Sequence, residues 1–292
     1  MARSGKAPTK KQLNRRPQRR VTLAMVTFIP YVTGYYEDRI TITELSLQSA
    51  IKGALGREMD ILIFDQGSCP EWRGRLSSFL DLEYVTSVYF SGYNTGKRSA
   101  LHKIMRMVDS EIISYTDDDV LFYPGWLDEA VTLLDEFPAD LVTGSPILTR
   151  FKWYEKQLER FKNDNTITVE ELSWEDYPKD WLKDDALGRG LPRTKYIRLI
   201  TKAKVRPVQV LRGGRKAWAV GHHMQFTAIR DAICPYFSIS GRELMGGDTE
   251  RDVAMDVGGL SQLATLERTT RHMGSTLDDS IVNDAINMEL VI

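Results

Sequence analysis

The chain has 292 residues, 42% of them hydrophobic and 10% aromatic, which is enough apolar material for one large domain or two smaller ones. A net charge of −1 gives no indication of sequence-specific nucleic-acid binding, and two cysteines are too few for a disulfide framework. No run approaches the roughly 20 apolar residues that span a bilayer. The sequence therefore predicts a cytoplasmic protein, or one that is peripheral to a membrane.

Residues 1–20 form a basic segment ahead of a slightly acidic body, with eight basic side chains and no acidic one. Almost none of its side chains are apolar, so ordering it would cost more entropy than burial could offset. We expect this tail to be disordered. Two interpretations of its charge stay open: a solubilising leader, or a contact with anionic lipid at a membrane surface.

From residue 21 onward, short apolar runs alternate with segments of helical periodicity. The pattern predicts strands over residues 21–28, 60–64, 85–90, 111–116 and 140–143, and helices over residues 41–55, 72–80 and 96–108 and from Pro124 onward. This alternation predicts an α/β fold, a Rossmann-like, mostly parallel sheet flanked by helices. Ligands of such sheets bind beyond the carboxyl ends of the strands.

The stretch over residues 150–206 interrupts this alternation, since it is rich in charge and in Trp and Tyr and has no clean periodicity. We interpret it as an insertion or lid over the site. Its aromatic side chains either offer a stacking surface or fill a core. Strand-like runs return over residues 208–211 and 217–228, so residues 207–292 are expected to complete the domain that residues 21–149 begin.

Three consecutive aspartates, Asp117 to Asp119, form the strongest local signal, at the end of the fourth predicted strand. If the extended conformation continues, Asp117 and Asp119 point to one side and Asp118 to the other. Neighbouring carboxylates repel unless a cation lies between them, and Mg²⁺ and Mn²⁺ take such oxygens together with phosphate and water. The acids therefore indicate a clamp for a divalent cation and a diphosphate. An acidic loop, or a cap for the helix at Pro124, is the alternative.

Polar residues after the second and third predicted strands give two weaker signals. Asp65, which precedes a glycine turn, has the chemistry to accept hydrogen bonds from a nucleobase or a ribose, but an Asx turn explains it equally well. Asn94 and Lys97 open the next helix, where they either cap it or meet a phosphate group.

Two further signals lie late in the chain. Asp248 follows the glycine pair Gly246 and Gly247, a setting that suits either a general base or a helix cap. His272 stands alone in sequence, and a lone histidine is more often structural than a metal ligand. By itself it would not indicate a metal site.

Taken in chain order, these elements resemble the family 2 glycosyltransferases, which have the GT-A fold. The motifs that carry the resemblance are Val26–Pro30, Asp65–Ser68, Asn94–Ala100, the Asp-x-Asp element Asp117–Asp119 with Pro124–Leu127, Gly247–Asp248 and His272–Gly274. The resemblance covers residues 21–144 well and residues 217–274 loosely.

The resemblance implies a glycosyltransferase that uses Mn²⁺ or Mg²⁺ and moves a sugar from a UDP- or GDP-linked donor, with inversion, to a hydroxyl of a glycan, lipid-linked or protein acceptor. In this reading residues 21–149 bind the nucleotide-sugar and residues 207–292 bind the acceptor. The implied roles are nucleotide binding by Thr27, Asp65, Asn94, Lys97 and Asp117, metal ligation by Asp117, Asp119 and His272, and general-base catalysis by Asp248.

Two other functions stay open. A nucleotidylyltransferase also has a parallel sheet with acids and a metal, but it calls for a Gly-rich basic loop after the first strand, where this chain has Phe28 to Tyr31. The second is a protein of the same fold that binds a nucleotide or a carbohydrate but catalyses no reaction. The joint presence of Asp117, Asp119 and Asp248 argues against it.

Overall fold

The structure is a computed structural model that describes residues 19–82, 84–146, 154–191, 206–219, 221, 224–237 and 248–292. Most of the basic tail therefore lies outside the described residues, and its disorder and its contact with lipid stay predictions. The last two tail residues are bonded to the body: Arg19 donates to the Met59 carbonyl at 2.7 Å, and Arg20 pairs with Glu111 at 3.1 Å and Asp135 at 2.7 Å.

The first half of the chain alternates strands and helices. Its elements are β1 (Val21–Thr27), α1 (Arg39–Gly53), β2 (Asp60–Asp65), α2 (Pro70–Phe79), β3 (Val85–Phe90), α3 (Lys97–Met107), β4 (Ile112–Asp117), β5 (Val120–Phe122), α4 (Trp126–Glu136) and β6 (Leu141–Thr143). The strands and helices that the periodicity predicts here are confirmed within two residues of their bounds. The helix predicted to start at Pro124 begins at Trp126, because Gly125, with φ +84°, turns the chain just before it.

The second half is less regular. Its elements are α5 (Glu155–Asn163), β7 (Thr168–Glu171), α6 (Lys179–Gly188), β8 (Val208–Arg212), β9 (Arg215–Trp218), β10 (Gln225–Ile229), α7 (Arg230–Ile233), α8 (Asp248–Val257), β11 (Gln262–Ala264), β12 (Thr270–His272) and α9 (Asp279–Asn287). The run predicted over residues 217–228 is divided between β9 and β10. Between them lies Gly221, where an added Cβ would stand 1.9 Å from the Thr143 hydroxyl, so the backbone there packs closely against the end of β6.

Ten strands of the described ranges form one sheet, in the order β3-β2-β1-β4-β10-β6-β11-β9-β8-β7. The strands β3, β2, β1 and β4 are parallel, β10 is antiparallel to both β4 and β6, and β11 is parallel to β6. The last three strands alternate in direction. The sheet is thus mostly parallel with an antiparallel extension at one edge.

Both faces of β1 are buried, which explains why its sequence is continuously apolar rather than alternating. Leu23 and Met25 pack on one face, in the core that also holds Trp72 of α2 and Trp126 of α4. The β1 side chains that alternate with Leu23 and Met25 pack on the other face of the sheet, against α3. With both faces closed, the open part of the sheet near β1 is its carboxyl-terminal edge.

Part of the predicted insertion joins this sheet, since β7 pairs with β8 along its whole length. Its described aromatic side chains form a core rather than an exposed stacking surface. Tyr177 is buried, with its ring centroid 5.2 Å from that of Trp218 and 5.5 Å from that of Trp174, and its hydroxyl donates to the Pro146 carbonyl at 2.6 Å. The remaining aromatics of this stretch include Trp153 and Tyr196, which lie outside the described residues. No helix in the described ranges has both the length and the apolar character needed to cross a bilayer.

Candidate active site

A cavity of about 550 Å³ opens at the carboxyl ends of β1 and β4, where the parallel-sheet rule places a ligand. Its walls come from the loop after β1, the start of α1, the loop after β3, the end of β4, the end of α6 and the residues at β12. The charged side chains among its walls are Arg39, Lys97, Asp117, Asp118, Asp119, Arg189 and His272.

All three predicted acids line this cavity. Strand β4 ends at Asp117, and the chain turns at Asp118 and Asp119. The expectation that Asp118 points away from its neighbours applied only to a chain that stays extended; that condition is not met, so strand alternation does not apply here. Asp117 accepts hydrogen bonds from Lys97 at 2.8 Å and from the Tyr115 hydroxyl.

The guanidinium of Arg39, the first residue of α1, joins the other two acids. It donates to Asp118, to Asp119 at 2.9 Å and to the carbonyl oxygen of Gly274 at 2.9 Å. Only 12% of the Arg39 side chain is exposed, against 8% for Asp118 and 11% for Asp119. Sequence reasoning missed Arg39, which lies 79 positions from Asp118 and belongs to none of the motifs.

Burial and charge act differently on the two acids. Burial is the main reason that the pKa of Asp118 rises to about 6, although the Arg39 charge opposes the rise. Burial would also raise the pKa of Asp119, but the charges of His272 and Arg39 lower it below its ordinary value. For His272, burial acts to lower the pKa, and the neighbouring charge of Asp119 acts to raise it. The arrangement therefore keeps Asp119 ionised, as a cation ligand must be.

His272 reaches Asp119 because β12 pairs with β5 in an antiparallel ladder that sets His272 opposite Val120. The Met273 amide also donates to the Asp119 carbonyl at 2.8 Å, which fixes the two segments side by side. The His272 Nε2 atom lies 3.4 Å from Oδ2 of Asp119. The structure thus brings together two of the three residues that the resemblance assigns to a metal.

Two buried polar atoms of this pair, Oδ1 of Asp119 and Nδ1 of His272, have no hydrogen-bond partner among the described residues. Buried polar atoms are nearly always bonded, so each such exception points to a missing ligand or to strain. Across the described ranges, no group of three or more His, Cys, Asp or Glu side chains is placed to hold a metal ion. Mn²⁺ and Mg²⁺, however, are often held by one or two protein ligands with phosphate and water completing the shell. The donor set fits an ion of that kind.

Thr27 and Asp65, which the resemblance assigns to nucleotide binding, form hydrogen bonds within the protein. Asp65 is fully buried, and its oxygens accept hydrogen bonds from the Thr27 hydroxyl at 3.3 Å and from the amides of Gly67 and Ser68 at 3.2 Å each. Neither Thr27 nor Asp65 lines the cavity, whereas Gln66 does. The two residues shape the turn beneath the cavity, and their contact with a nucleobase stays a prediction.

Asn94 and Lys97 both line the cavity. The Asn94 side chain accepts from the Gly96 amide at 2.7 Å, a local turn that sets the start of α3. Lys97 follows as the first residue of α3 and faces Asp117. Both predicted positions are therefore at the site, with Asn94 shaping the loop and Lys97 supplying charge.

The predicted general base cannot be placed as a side chain. Asp248 begins α8, but its side chain lies outside the described part of the chain, as do Gly246 and Gly247. Arg189, which follows α6, is a cavity residue that the sequence did not indicate. Its Nε donates to Asp185 at 2.8 Å.

Gly188, the last residue of α6, is where the predicted lid meets His272 in the cavity wall. A Cβ added there would stand 2.5 Å from the His272 carbonyl oxygen and 2.7 Å from its Nδ1. We expect Gly188→Ala to push α6 away from β12, to lower the free energy of unfolding by about 1–3 kcal/mol and to weaken binding of metal and nucleotide.

Chemical denaturation and nucleotide titration of the Gly188→Ala variant measure both effects. Gly74→Ala in α2 is the matched control, because an added Cβ there meets nothing within 4 Å. Equal behaviour of the two variants would contradict the close packing of α6 on β12.

The chain belongs to glycosyl transferase family 2, whose sequence profile matches residues 38–190. That range holds α1, the three acids and α6, and with the mostly parallel sheet it confirms the predicted fold class and the predicted family. No curated protein matches the chain by sequence.

Several solved structures are similar in fold. The mannosyltransferase PcManGT from Pyrobaculum calidifontis, in complex with GDP-Man and Mn²⁺, has a TM-score of 0.48 at 13% identity, over 86% of this chain and 57% of that one. S. aureus TarS 1-349 has a TM-score of 0.47 at 11% identity, over 87% of this chain and 60% of that one. Its complex with UDP-GlcNAc has a TM-score of 0.48 at 12% identity, over 92% and 65%. The chain thus spans less than two thirds of these relatives.

Proposed function

We propose that this chain transfers a sugar from a UDP- or GDP-linked donor to an acceptor hydroxyl, with a divalent cation and with inversion at the anomeric carbon. The observation that carries the proposal is Asp119, a buried acid whose Oδ1 atom has no hydrogen-bond partner among the described residues, beside His272 at the carboxyl edge of the sheet. A cavity of about 550 Å³ is within the range of about 300–1,000 Å³ that small-molecule ligands occupy.

The charges of the cavity support a role for the cation. Asp117 pairs with Lys97, Asp118 and Asp119 share Arg39, and His272 lies 3.4 Å from Asp119, so each of the three acids already faces a base of the protein itself. A donor diphosphate adds negative charge to this site, and a divalent ion would offset it. When bound, the ion would also stabilise the charge that develops on the leaving diphosphate.

The remaining walls suit the rest of a nucleotide-sugar. Phe28, Tyr35 and Tyr36 give the cavity an aromatic side, on which a planar base can lie. Lys97 and Arg189 are cationic side chains in the cavity wall. Lysine and arginine are the side chains that commonly bind phosphate groups. We propose that residues 21–149 bind the donor in this way, as the sequence predicts.

The predicted lid takes part as well. Gly188 at the end of α6 and the two residues after it, Arg189 and Gly190, line the cavity wall, and we propose that this part of the range 150–206 covers the donor. We propose that residues 207–292 form the acceptor side, with Asp248 at the start of α8 as the general base that deprotonates the acceptor hydroxyl. The acceptor is a glycan, a lipid-linked molecule or a protein.

Thermal denaturation tests the proposal. We expect UDP or GDP to raise the melting temperature only when Mn²⁺ or Mg²⁺ is present, because the diphosphate and the ion complete each other's coordination. A panel of nucleotide-sugars with Mn²⁺, read as released nucleoside diphosphate, then identifies the donor. Melting temperatures that do not change with UDP, GDP or dTDP, with or without metal, would rule out the proposed donor site.

A further inference from the structure

Arg39 lies where the helix itself disfavours a basic residue. It is the first residue of α1, and the amino end of a helix carries partial positive charge from its unpaired amides. The guanidinium is held instead by Asp118, Asp119 and the Gly274 carbonyl. The acid cluster, and not the helix, therefore determines where this cation lies.

The start of α1 is also fixed to the segment that follows His272. The Asp38 side chain accepts a hydrogen bond from the Leu277 amide at 3.1 Å, next to the bond between Arg39 and Gly274. Arg39 and His272 thus both contact the same oxygen of Asp119, Oδ2, and one connected set of contacts holds them there. This arrangement keeps a full positive charge beside Asp119.

The two oxygens of Asp119 have different surroundings. Oδ2 accepts from Arg39 at 2.9 Å and lies 3.4 Å from His272, while Oδ1 has no partner in the described residues. A positive charge held next to a ligand atom repels a divalent cation, and the repulsion is strong where little water screens it. The cluster without a nucleotide is therefore a poor site for the ion alone.

Building on the proposed function, we propose that Arg39 makes metal binding depend on the donor. The charge of Arg39 offsets the charges of Asp118 and Asp119. It repels the divalent ion until a diphosphate brings compensating negative charge. Metal and nucleotide then bind with positive coupling, which linkage requires to be equal in both directions. Arg39 is a positioning residue that couples the binding of the metal to the binding of the nucleotide.

Titration of the intact protein with Mn²⁺, followed by calorimetry and by the electron paramagnetic resonance signal of free Mn²⁺, tests this coupling. In the wild type we expect Mn²⁺ to bind at least about ten-fold more tightly with UDP or GDP present than alone. In Arg39→Gln we expect Mn²⁺ alone to bind at least about ten-fold more tightly than in the wild type. Arg75→Gln, which removes an exposed partner of Glu44, should behave as the wild type.

A second variant covers the case in which Arg39→Gln fails to fold, since it leaves two buried carboxylates without their cation. Arg39→Gln combined with Asp118→Asn removes one acid together with the base, and Mn²⁺ alone should raise its melting temperature but not that of the wild type. The wild-type titration needs no variant at all.

The outcomes separate the two proposals. Equal Mn²⁺ affinity with and without nucleotide in the wild type, or no gain in affinity in both Arg39 variants, would overturn the role of Arg39 and leave the metal-dependent function intact. If Mn²⁺ does not bind the wild type even with UDP or GDP, the metal-dependent function fails, and the role of Arg39 fails with it.

Discussion

Asp119→Asn is expected to lower the rate of sugar transfer by about 100- to 1,000-fold. Asparagine keeps the shape of the side chain but removes the charge that Arg39 and His272 both contact. The Oδ1 atom, which has no hydrogen-bond partner in the part of the chain that the structure describes, would also become a weaker cation ligand. The loss should appear in the release of nucleoside diphosphate from the active donor and, in parallel, in the affinity for Mn²⁺ with nucleotide.

The matched control is Asp128→Asn on α4. Asp128 is half exposed and pairs with Arg57, away from the cavity walls, so its loss should leave transfer unchanged. Transfer by Asp119→Asn within a few-fold of the wild type would show that the acid cluster does not serve the donor diphosphate.

Asp248→Asn is expected to retain donor binding and to lower transfer by about 100- to 10,000-fold, the usual contribution of a general base. The two measurements separate the roles: nucleotide and Mn²⁺ affinity report the donor side, and the rate with saturating donor reports proton removal from the acceptor. The prediction depends on the resemblance and on the position of Asp248 at the start of α8.

Glu250→Gln provides the control on the same helix, since Glu250 is exposed and only two positions away. It should leave both donor affinity and rate unchanged. A near-normal rate in Asp248→Asn would remove that residue from the mechanism and would leave the donor site untouched.

The strands and helices of the first half could be predicted because each is encoded locally. The apolar run of β1 is buried on both faces, and the period of α3 places Leu101, Ile104 and Met105 in one core. The carboxyl-edge rule then indicated the edge at which the cavity lies, since Asp117 is at the carboxyl end of β4 and lines that cavity. Local pattern and topology were together sufficient for the fold class.

The partners of the acids could not be predicted, because they come from distant parts of the chain. Arg39 meets Asp118 across 79 positions, and Arg39 also reaches Gly274 across 235 positions. Nothing in the local spacing of an arginine at a helix start indicates such contacts. Its unfavourable place in the helix dipole is the one signal that could have raised the question.

Two predictions depended on how the chain continues beyond an element. Asp118 was expected to point away from its neighbours, but the turn after β4 brings it to Arg39. Asp65 matches a family motif, yet its oxygens are used by the turn that Gly67 and Ser68 form, the local alternative that the sequence left open. Motif identity placed both residues near the site but did not give their contacts.

The central claim, that Asp119 shares a divalent ion with the diphosphate of a donor, is tested most directly by crystals grown with UDP or GDP and Mn²⁺. Anomalous scattering at the manganese absorption edge locates the ion without ambiguity. The account predicts a manganese peak within bonding distance of Asp119 and of the diphosphate, in the cavity that His272 lines. A nucleotide bound in that cavity with no manganese beside Asp119, or bound elsewhere on the protein, would contradict it.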